Sequence, residues 1–274
     1  MPKVTLAISP CPNDTFIFDA MLHQKIDTLG IDFEVHFADV EELNQAALQA
    51  KYDITKLSYF AYSKVSEAYK LLDSGSALGN NCGPILISKN DFNIKDVEQL
   101  NIGIPGKLTT ANFLFSLRFP NACNKKFMLF SDIEQQLQDD KIDAGVIIHE
   151  SRFTYAAKGF KKIIDLGEYW EQTYQAPIPL GGIVVKRNID QKLQEDINSC
   201  IKKSIEFAFA NRHSSQNFIK EHAQEMSDDV IQQHIDLYVN QYSISLGEHG
   251  INAVRKLYQT AVENNFISPL HQPI

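Results

Sequence analysis

The sequence predicts an α/β protein of two lobes with a ligand-binding cleft between them. Its 274 residues exceed the size at which a single hydrophobic core usually suffices. Strand-like apolar runs alternate with helical patterns through the first two thirds of the chain. A self-contained α/β stretch also interrupts a first unit to which the chain then returns. Folds with this layout place their ligand in the crevice between the lobes and close around it.

The first unit opens with alternating strand and helix signals. Val4–Ile8 is an apolar run, and a turn with two prolines separates it from a helix for which we expect Asn13 or Asp14 to be the N-cap. Residues 31–37 alternate apolar and polar side chains, which is the period of a half-buried strand. The other elements predicted for this unit are helix 41–49, strand 53–58, helix 59–69 and strand 84–88.

The chain is expected to pass into a second α/β unit around residues 90–100. The elements predicted there are strand 102–106, a helix that opens at 109, an apolar stretch at 127–130, helix 131–139 and strand 144–148. A strand at 180–185 then leads back to the first unit, and from Ile189 onward the pattern is helical. The predicted division is a larger domain of residues 1–90 and 183–274 and a smaller domain of residues 91–182.

The overall charge argues against two classes of partner. The formal net charge is −8, so neither nucleic acid nor an anionic membrane surface is expected as the main partner. No apolar stretch approaches the length of a membrane span, and the N-terminus lacks the features of a secretory signal. We therefore expect a cytoplasmic protein that acts on a small molecule. The sequence leaves its oligomeric state open.

No metal site is expected from the spacing of cysteines and histidines. The four cysteines lie far apart without a C-x-x-C pair, and position 153 is Phe, so His149-Glu150 does not begin an H-E-x-x-H motif. Four histidines fall in the helical C-terminal part, and we expect them to be surface or helix-packing residues: His213, His222, His234 and His249.

Polar residues follow four predicted strands, at the edge where open α/β sheets bind ligands. These segments are residues 9–14, 56–58, 106–111 and 149–152. In the last of them a buried apolar run ends abruptly in His149, Glu150 and Arg152. An imidazole at that position can act as an acid or base near neutral pH. It can equally close the strand by bonding a backbone carbonyl, and both interpretations are open.

The segment Thr109-Thr110-Ala111 opens a predicted helix. Free backbone N–H groups at a helix N-terminus bind anions, and small residues let a ligand approach the backbone. Simple N-capping by Thr109 also explains the segment, and both interpretations can hold together.

At these residues the chain closely resembles the 1,4-dihydroxy-6-naphthoate synthases of the futalosine route to menaquinone. The matching motifs are residues 9–16 (SPCPNDTF), 55–59 (TKLSY), Pro105-Gly106 with Thr109-Thr110-Ala111, and 148–155 (IHESRFTY). The resemblance runs from the first strand to the C-terminal helices.

The resemblance implies a type II periplasmic-binding-protein-like fold that serves as an enzyme. Members of this family convert cyclic dehypoxanthinylfutalosine to 1,4-dihydroxy-6-naphthoate and release dihydroxyacetone, without a cofactor. By the same resemblance His149 is the catalytic base. The implied substrate-binding residues are Lys56, Leu57, Ser58, Thr110 and Ala111. The roles of Cys11, Asn13, Asp14, Glu150 and Arg152 are left open.

A solute-binding protein that holds a small carboxylate without chemistry is the alternative, since a fold does not determine a function. The histidine at a strand end and the absence of an export signal favour the enzyme.

Overall fold

The computed structural model describes residues 2–223, 227–270 and 272, and within them the chain forms two β-sheets flanked by helices. In the described residues the first sheet has six strands: β1 (Lys3–Ile8), β2 (Asp32–Phe37), β3 (Ile54–Ser58), β4 (Tyr69–Leu71), β5 (Ala77–Gly79) and β11 (Ile178–Lys186). Their order is β2-β1-β3-β11-β4, with β5 also paired to β11. Strand β1 is parallel to β2 and β3, whereas β11 runs antiparallel to β3. The carboxyl ends of β1 and β3 therefore meet at one edge.

The second sheet has the strand order β10-β6-β9-β7-β8 in the described residues. Its strands are β6 (Ile85–Ser88), β7 (Ile102–Ile104), β8 (Lys125–Phe127), β9 (Ala144–Ile147) and β10 (Lys161–Asp165). The α-helices that the structure describes in this part of the chain are α4 (Thr110–Arg118), α5 (Ile133–Gln138), α6 (Ser151–Thr154) and α7 (Leu166–Tyr174). Glycines at 103 and 145 let Ile142 and Ile133 pack directly on the sheet, because an added Cβ would lie 2.6 Å and 2.4 Å from those side chains.

The remaining helices accompany the first sheet. They are α1 (Pro12–Leu22), α2 (Val40–Leu48), α3 (Tyr59–Tyr62), α8 (Gln191–Ala210), α9 (Gln216–His222), α10 (Asp228–Tyr238), α11 (Gln241–Ile244) and α12 (Gly247–Glu263). The apolar stripe of α8 is buried against α1 and the strands, as its three-to-four-residue spacing predicted. No helix of the described residues combines the length and hydrophobicity that crossing a membrane requires.

Strand β6 does not lie where the sequence analysis put it. Residues 84–88 were assigned to the first unit, but Ile85–Ser88 pairs antiparallel with both β9 and β10 of the second sheet. All four residues are buried, so the strand needs a neighbour on each side. We therefore propose that the first domain boundary precedes Ile85. We place the second before Ile178, where β11 begins to pair with the first sheet.

Two local predictions were also wrong. The helix expected over residues 59–69 ends at Tyr62, and Tyr69 already belongs to strand β4, where its hydroxyl donates to the Tyr52 carbonyl. Cys11 rather than Asn13 or Asp14 occupies the N-cap position of helix α1, without a side-chain capping bond, because Pro12 takes the first helical position that proline favours. As a consequence Asp14 lies in the first turn with its side chain fully buried.

The two sheets share one continuous hydrophobic cluster that includes Leu57 and Tyr59 on one side and Ile104 and Val146 on the other. Between them Phe60 stacks on Phe113 with ring centroids 5.1 Å apart. This contact packs helix α3 against helix α4 and so joins the two parts of the chain.

Candidate active site

A cleft lies between the two sheets. Its walls are formed by strand ends, helix starts and short loops of both sheets: Ser9, Asn13, Asp14, Val40, Lys56, Ser58, Ala77, Cys82, Pro84, Thr109, Thr110, Ala111, Ile148, His149, Leu180, Gly181 and Tyr238. Five of the six residues predicted for catalysis and substrate binding are therefore brought together.

The exception is Leu57. Successive side chains of a strand point to opposite faces, so Lys56 and Ser58 reach the cleft while Leu57 points away from it. Leu57 is fully buried in the hydrophobic cluster and does not line the cleft. Of the three substrate contacts predicted at residues 56–58, only the side chains of Lys56 and Ser58 line the cleft.

Lys56 enters the cleft as half of a buried ion pair. Its Nζ lies 2.6 Å from Asp14 Oδ1, and both side chains are nearly inaccessible to solvent. The other Asp14 oxygen accepts from the amide and hydroxyl of Ser9, at 3.1 and 2.7 Å. Gly181 makes room for this arrangement, because a Cβ there would lie 3.2 Å from Lys56 Cε and 2.9 Å from the Leu57 carbonyl oxygen. The ion pair therefore provides the cleft with N–H donors of an ammonium group without adding a net charge.

The start of helix α4 forms the facing wall. The Thr109 hydroxyl accepts from the Asn112 amide at 3.2 Å, so the predicted N-cap is confirmed. The amides of Thr110 and Ala111 are in the first turn, where helix geometry provides no intrahelical acceptor. The Thr110 hydroxyl donates to the Leu180 carbonyl at 2.9 Å and so links this wall to strand β11. A second link joins Glu41 Oε2 to the Leu108 amide at 3.0 Å.

His149 follows strand β9 and has a left-handed backbone with φ 56°. Non-glycine residues rarely adopt this conformation, and it concentrates at functional sites. The ring lies 4.8 Å from that of Phe130. Burial lowers the pKa of His149 to about 4, while Asp14 raises the pKa and Lys56 lowers it. The imidazole is therefore neutral at physiological pH and can accept a proton.

Arg152 takes no part in the cleft. Its guanidinium lies 2.7 Å from Asp165 Oδ2 and also donates to the Gly83 carbonyl, so it ties helix α6 to the end of strand β10 and to the turn before strand β6. The sequence left the role of Arg152 open, and the structure gives it Asp165 as an ion-pair partner.

His234 is the residue that sequence reasoning missed. It was expected at the surface or in helix packing, and of these two the structure shows packing, with the side chain wholly buried and its ring parallel to that of His149. Its Nε2 lies 2.9 Å from Asn13 Oδ1. A signal was present, because position 234 lies on the same helix face as the apolar Ile231 and Tyr238.

Cys11, His149 and Glu150 each offer a possible metal-ligand atom, and these three atoms lie within 4.8 Å of one another. A metal requires the thiolate form of cysteine. Burial raises the pKa of the Cys11 thiol well above its ordinary value, and Glu150 raises it further. Without a bound cation the Cys11 thiol is therefore neutral.

Two curated relatives align with essentially the whole chain. Both are named 1,4-dihydroxy-6-naphthoate synthase. The one from Thermus thermophilus is 36% identical over 100% of this chain and 99% of its own length. The one from Streptomyces coelicolor is 36% identical over 97% of this chain and 95% of its own length.

Solved structures support the fold. A protein from Archaeoglobus fulgidus superimposes with a TM-score of 0.92 at 31% identity and covers 97% of this chain and 98% of its own. The periplasmic aliphatic sulphonate binding protein of Escherichia coli superimposes with a TM-score of 0.66 at 12% identity, over 100% of this chain and 93% of its own. At that identity the likeness concerns the fold alone, and it confirms the two-lobed, periplasmic-binding-protein-like class. Residues 4–263 also match the family described as menaquinone biosynthesis. The chain therefore belongs to the menaquinone biosynthesis family, together with the two synthases that it resembles along its length.

Proposed function

We propose that this chain is a 1,4-dihydroxy-6-naphthoate synthase that converts cyclic dehypoxanthinylfutalosine to 1,4-dihydroxy-6-naphthoate and dihydroxyacetone. The observation that carries the proposal is a neutral imidazole, that of His149, in a cleft whose other walls offer ammonium, hydroxyl and amide donors. The family and the two full-length relatives support the same activity. The proposed setting is the cytoplasm, with a small molecule as the partner.

In this proposal His149 is the general base. Release of the three-carbon fragment needs a proton removed from the substrate and a carbon–carbon bond broken next to a carbonyl group. A neutral ring accepts that proton, and fixed donors stabilise the oxyanion that develops. Negative charge on a bound substrate favours the protonated ring, so the basicity of His149 rises when an anion occupies the cleft. Aromatisation of the product ring makes the overall step downhill, which is why we propose no cofactor.

The substrate contacts divide between the two walls. We propose that the amides of Thr110 and Ala111 hold an oxygen-rich part of the substrate at the start of α4. Lys56 and Ser58 face them from β3, with Ser58 held by two hydrogen bonds to Asn44. Leu57 then contributes only by packing behind these two side chains. Movement of the sheets toward each other would exclude water from the site.

The test is turnover of cyclic dehypoxanthinylfutalosine by the purified protein, measured as naphthoate formation. The wild type should be active, and His149→Asn should lose about 100- to 10,000-fold in kcat, since an amide cannot accept the proton. Substrate affinity should change far less.

His213→Asn is the matched control, because it makes the same change at an exposed histidine and should leave kcat unchanged. Near-normal turnover of His149→Asn would show that the base is another residue. A wild type that binds the substrate without forming naphthoate would favour the solute-binding alternative.

A further inference from the structure

A buried chain of hydrogen bonds runs from the wall of the cleft to His234. Lys56 Nζ and Asn13 Nδ2 both donate to Asp14 Oδ1, at 2.6 and 2.8 Å. Because the Asp14 carboxylate is an acceptor, it draws the amide nitrogen of Asn13 toward itself and leaves Asn13 Oδ1 facing His234. The Nε2 of His234 lies 2.9 Å from that oxygen, so Nε2 must carry the proton. The chain thereby determines a single tautomer of His234.

Because Nε2 carries the proton, the other ring nitrogen of His234, Nδ1, is a buried hydrogen-bond acceptor. Nδ1 is fully buried and has no hydrogen-bond partner among the described residues. Nδ1 lies 4.0 Å from Oε2 of Glu150, the residue that follows His149 in the sequence. Burial lowers the pKa of His234 well below its ordinary value, with His149 and Lys56 lowering it further. His234 is therefore a neutral ring at physiological pH.

The rings of His149 and His234 are nearly parallel. Their planes differ by 7° and their centroids lie 6.1 Å apart, in the range of offset stacking. Phe130 contacts the His149 ring at 4.8 Å and a larger interplanar angle of 56°. Tyr238 and Phe153 pack against His234, with centroids at 4.6 and 6.4 Å. The ring of His149 is thus parallel to the ring of His234, and the ring of His234 is fixed by its packing and by its hydrogen bond to Asn13.

We propose that His234 is a positioning residue for His149, a neutral imidazole of one tautomer that sets the plane of the catalytic base through their parallel rings. It does not line the cleft and so does not touch the substrate. The groups that face His149 are Asp14, Lys56, Cys11 and Glu150, with His234 behind it. Asp14 raises the pKa of His149 and Lys56 lowers it, whereas the uncharged His234 adds no charge that opposes protonation of His149. The inference rests on the proposed function, in which His149 is the base.

The test compares His234→Leu with His234→Gln. Leucine keeps the apolar volume but removes the donor to Asn13 and the flat ring, whereas the glutamine amide can still donate to Asn13. A displacement of about 1 Å at a reacting group costs on the order of 100-fold in rate. We expect His234→Leu to lower kcat by about 10- to 100-fold with KM nearly unchanged, and His234→Gln to recover part of the loss. Nitrogen NMR of the His149 ring should show shifted or broadened signals in His234→Leu, because the ring loses the parallel neighbour that fixes its plane.

The matched control is His222→Leu, which removes a part-buried histidine that packs on Phe37 away from the cleft. Its kcat and its His149 signals should equal those of the wild type. A wild-type kcat in His234→Leu, or an equal loss in His222→Leu, would overturn the inference while the proposed function stands. If the wild type does not turn over the substrate, the proposed function fails, and an unchanged His149 signal in His234→Leu then overturns the positioning role separately.

Discussion

The neutral state of His149 predicts a specific loss of stability in acid. Burial holds its pKa at about 4, against 6.5 for an exposed histidine. Between pH 6.5 and pH 4 the unfolded chain binds a proton at His149 that the folded protein does not bind. The contribution of His149 to the free energy of unfolding therefore falls as the pH drops from 6.5 toward 4, and this contribution changes little below pH 4. Each unit of pKa difference corresponds to about 1.4 kcal/mol. From pH 8 to pH 5 His149 should therefore remove about 2 kcal/mol of the free energy of unfolding.

Urea unfolding of the wild type and His149→Asn at pH 8 and pH 5 measures this contribution. Other groups titrate over the same range, so the informative quantity is the difference between the two proteins. The wild type should lose about 2 kcal/mol more than the variant between the two pH values. His213→Asn, which removes an exposed imidazole, should follow the wild type. Equal losses in the wild type and His149→Asn would refute the conclusion that this ring is held neutral by burial.

Two further predictions concern the links across the cleft. Thr110→Val removes the hydroxyl that donates to the Leu180 carbonyl, and it should weaken substrate binding about two- to tenfold by isothermal titration, whereas Thr110→Ser should bind normally. An unchanged affinity of Thr110→Val in a folded protein would mean that the hydroxyl link to Leu180 does not support substrate binding. Glu41→Ala breaks a charge-assisted bond to the Leu108 amide, so KM should rise about tenfold or more and X-ray scattering should show a larger radius of gyration. The neighbouring exposed Glu42→Ala is its control, and a wild-type KM in Glu41→Ala would mean that this bond does not hold the cleft together.

Several parts of the fold could be predicted from local patterns. The alternation in residues 31–37 predicted strand β2, and the apolar stripe after Ile189 predicted helix α8. Thr109 was identified as a helix cap from three residues of context, and His149 was placed at a strand end by the apolar run before it. Each of these features depends on residues within a few positions of one another, which is why periodicity and capping rules reach them.

The errors have a different origin. Strand β6 was assigned to the wrong sheet because its apolar run suits any buried strand, and only its pairing with β9 and β10 places it. Leu57 was grouped with its neighbours although strand alternation turns its side chain into the core. The helix expected after Ser58 stops at Tyr62, since strand pairing of Tyr69 with β11 overrides helical propensity.

The sequence by itself determined the α/β class, the family and the two segments that supply the proposed base and the proposed anion-binding helix start. Only the tertiary structure decided which side chains meet. His234 lies 221 residues from Asn13, yet a hydrogen bond joins them and places a second imidazole behind the first. Local chemistry specifies what a segment can do, because its period and caps are short-range properties. Which segments lie together depends on how the whole chain buries its apolar faces, and that is a property of the folded protein alone.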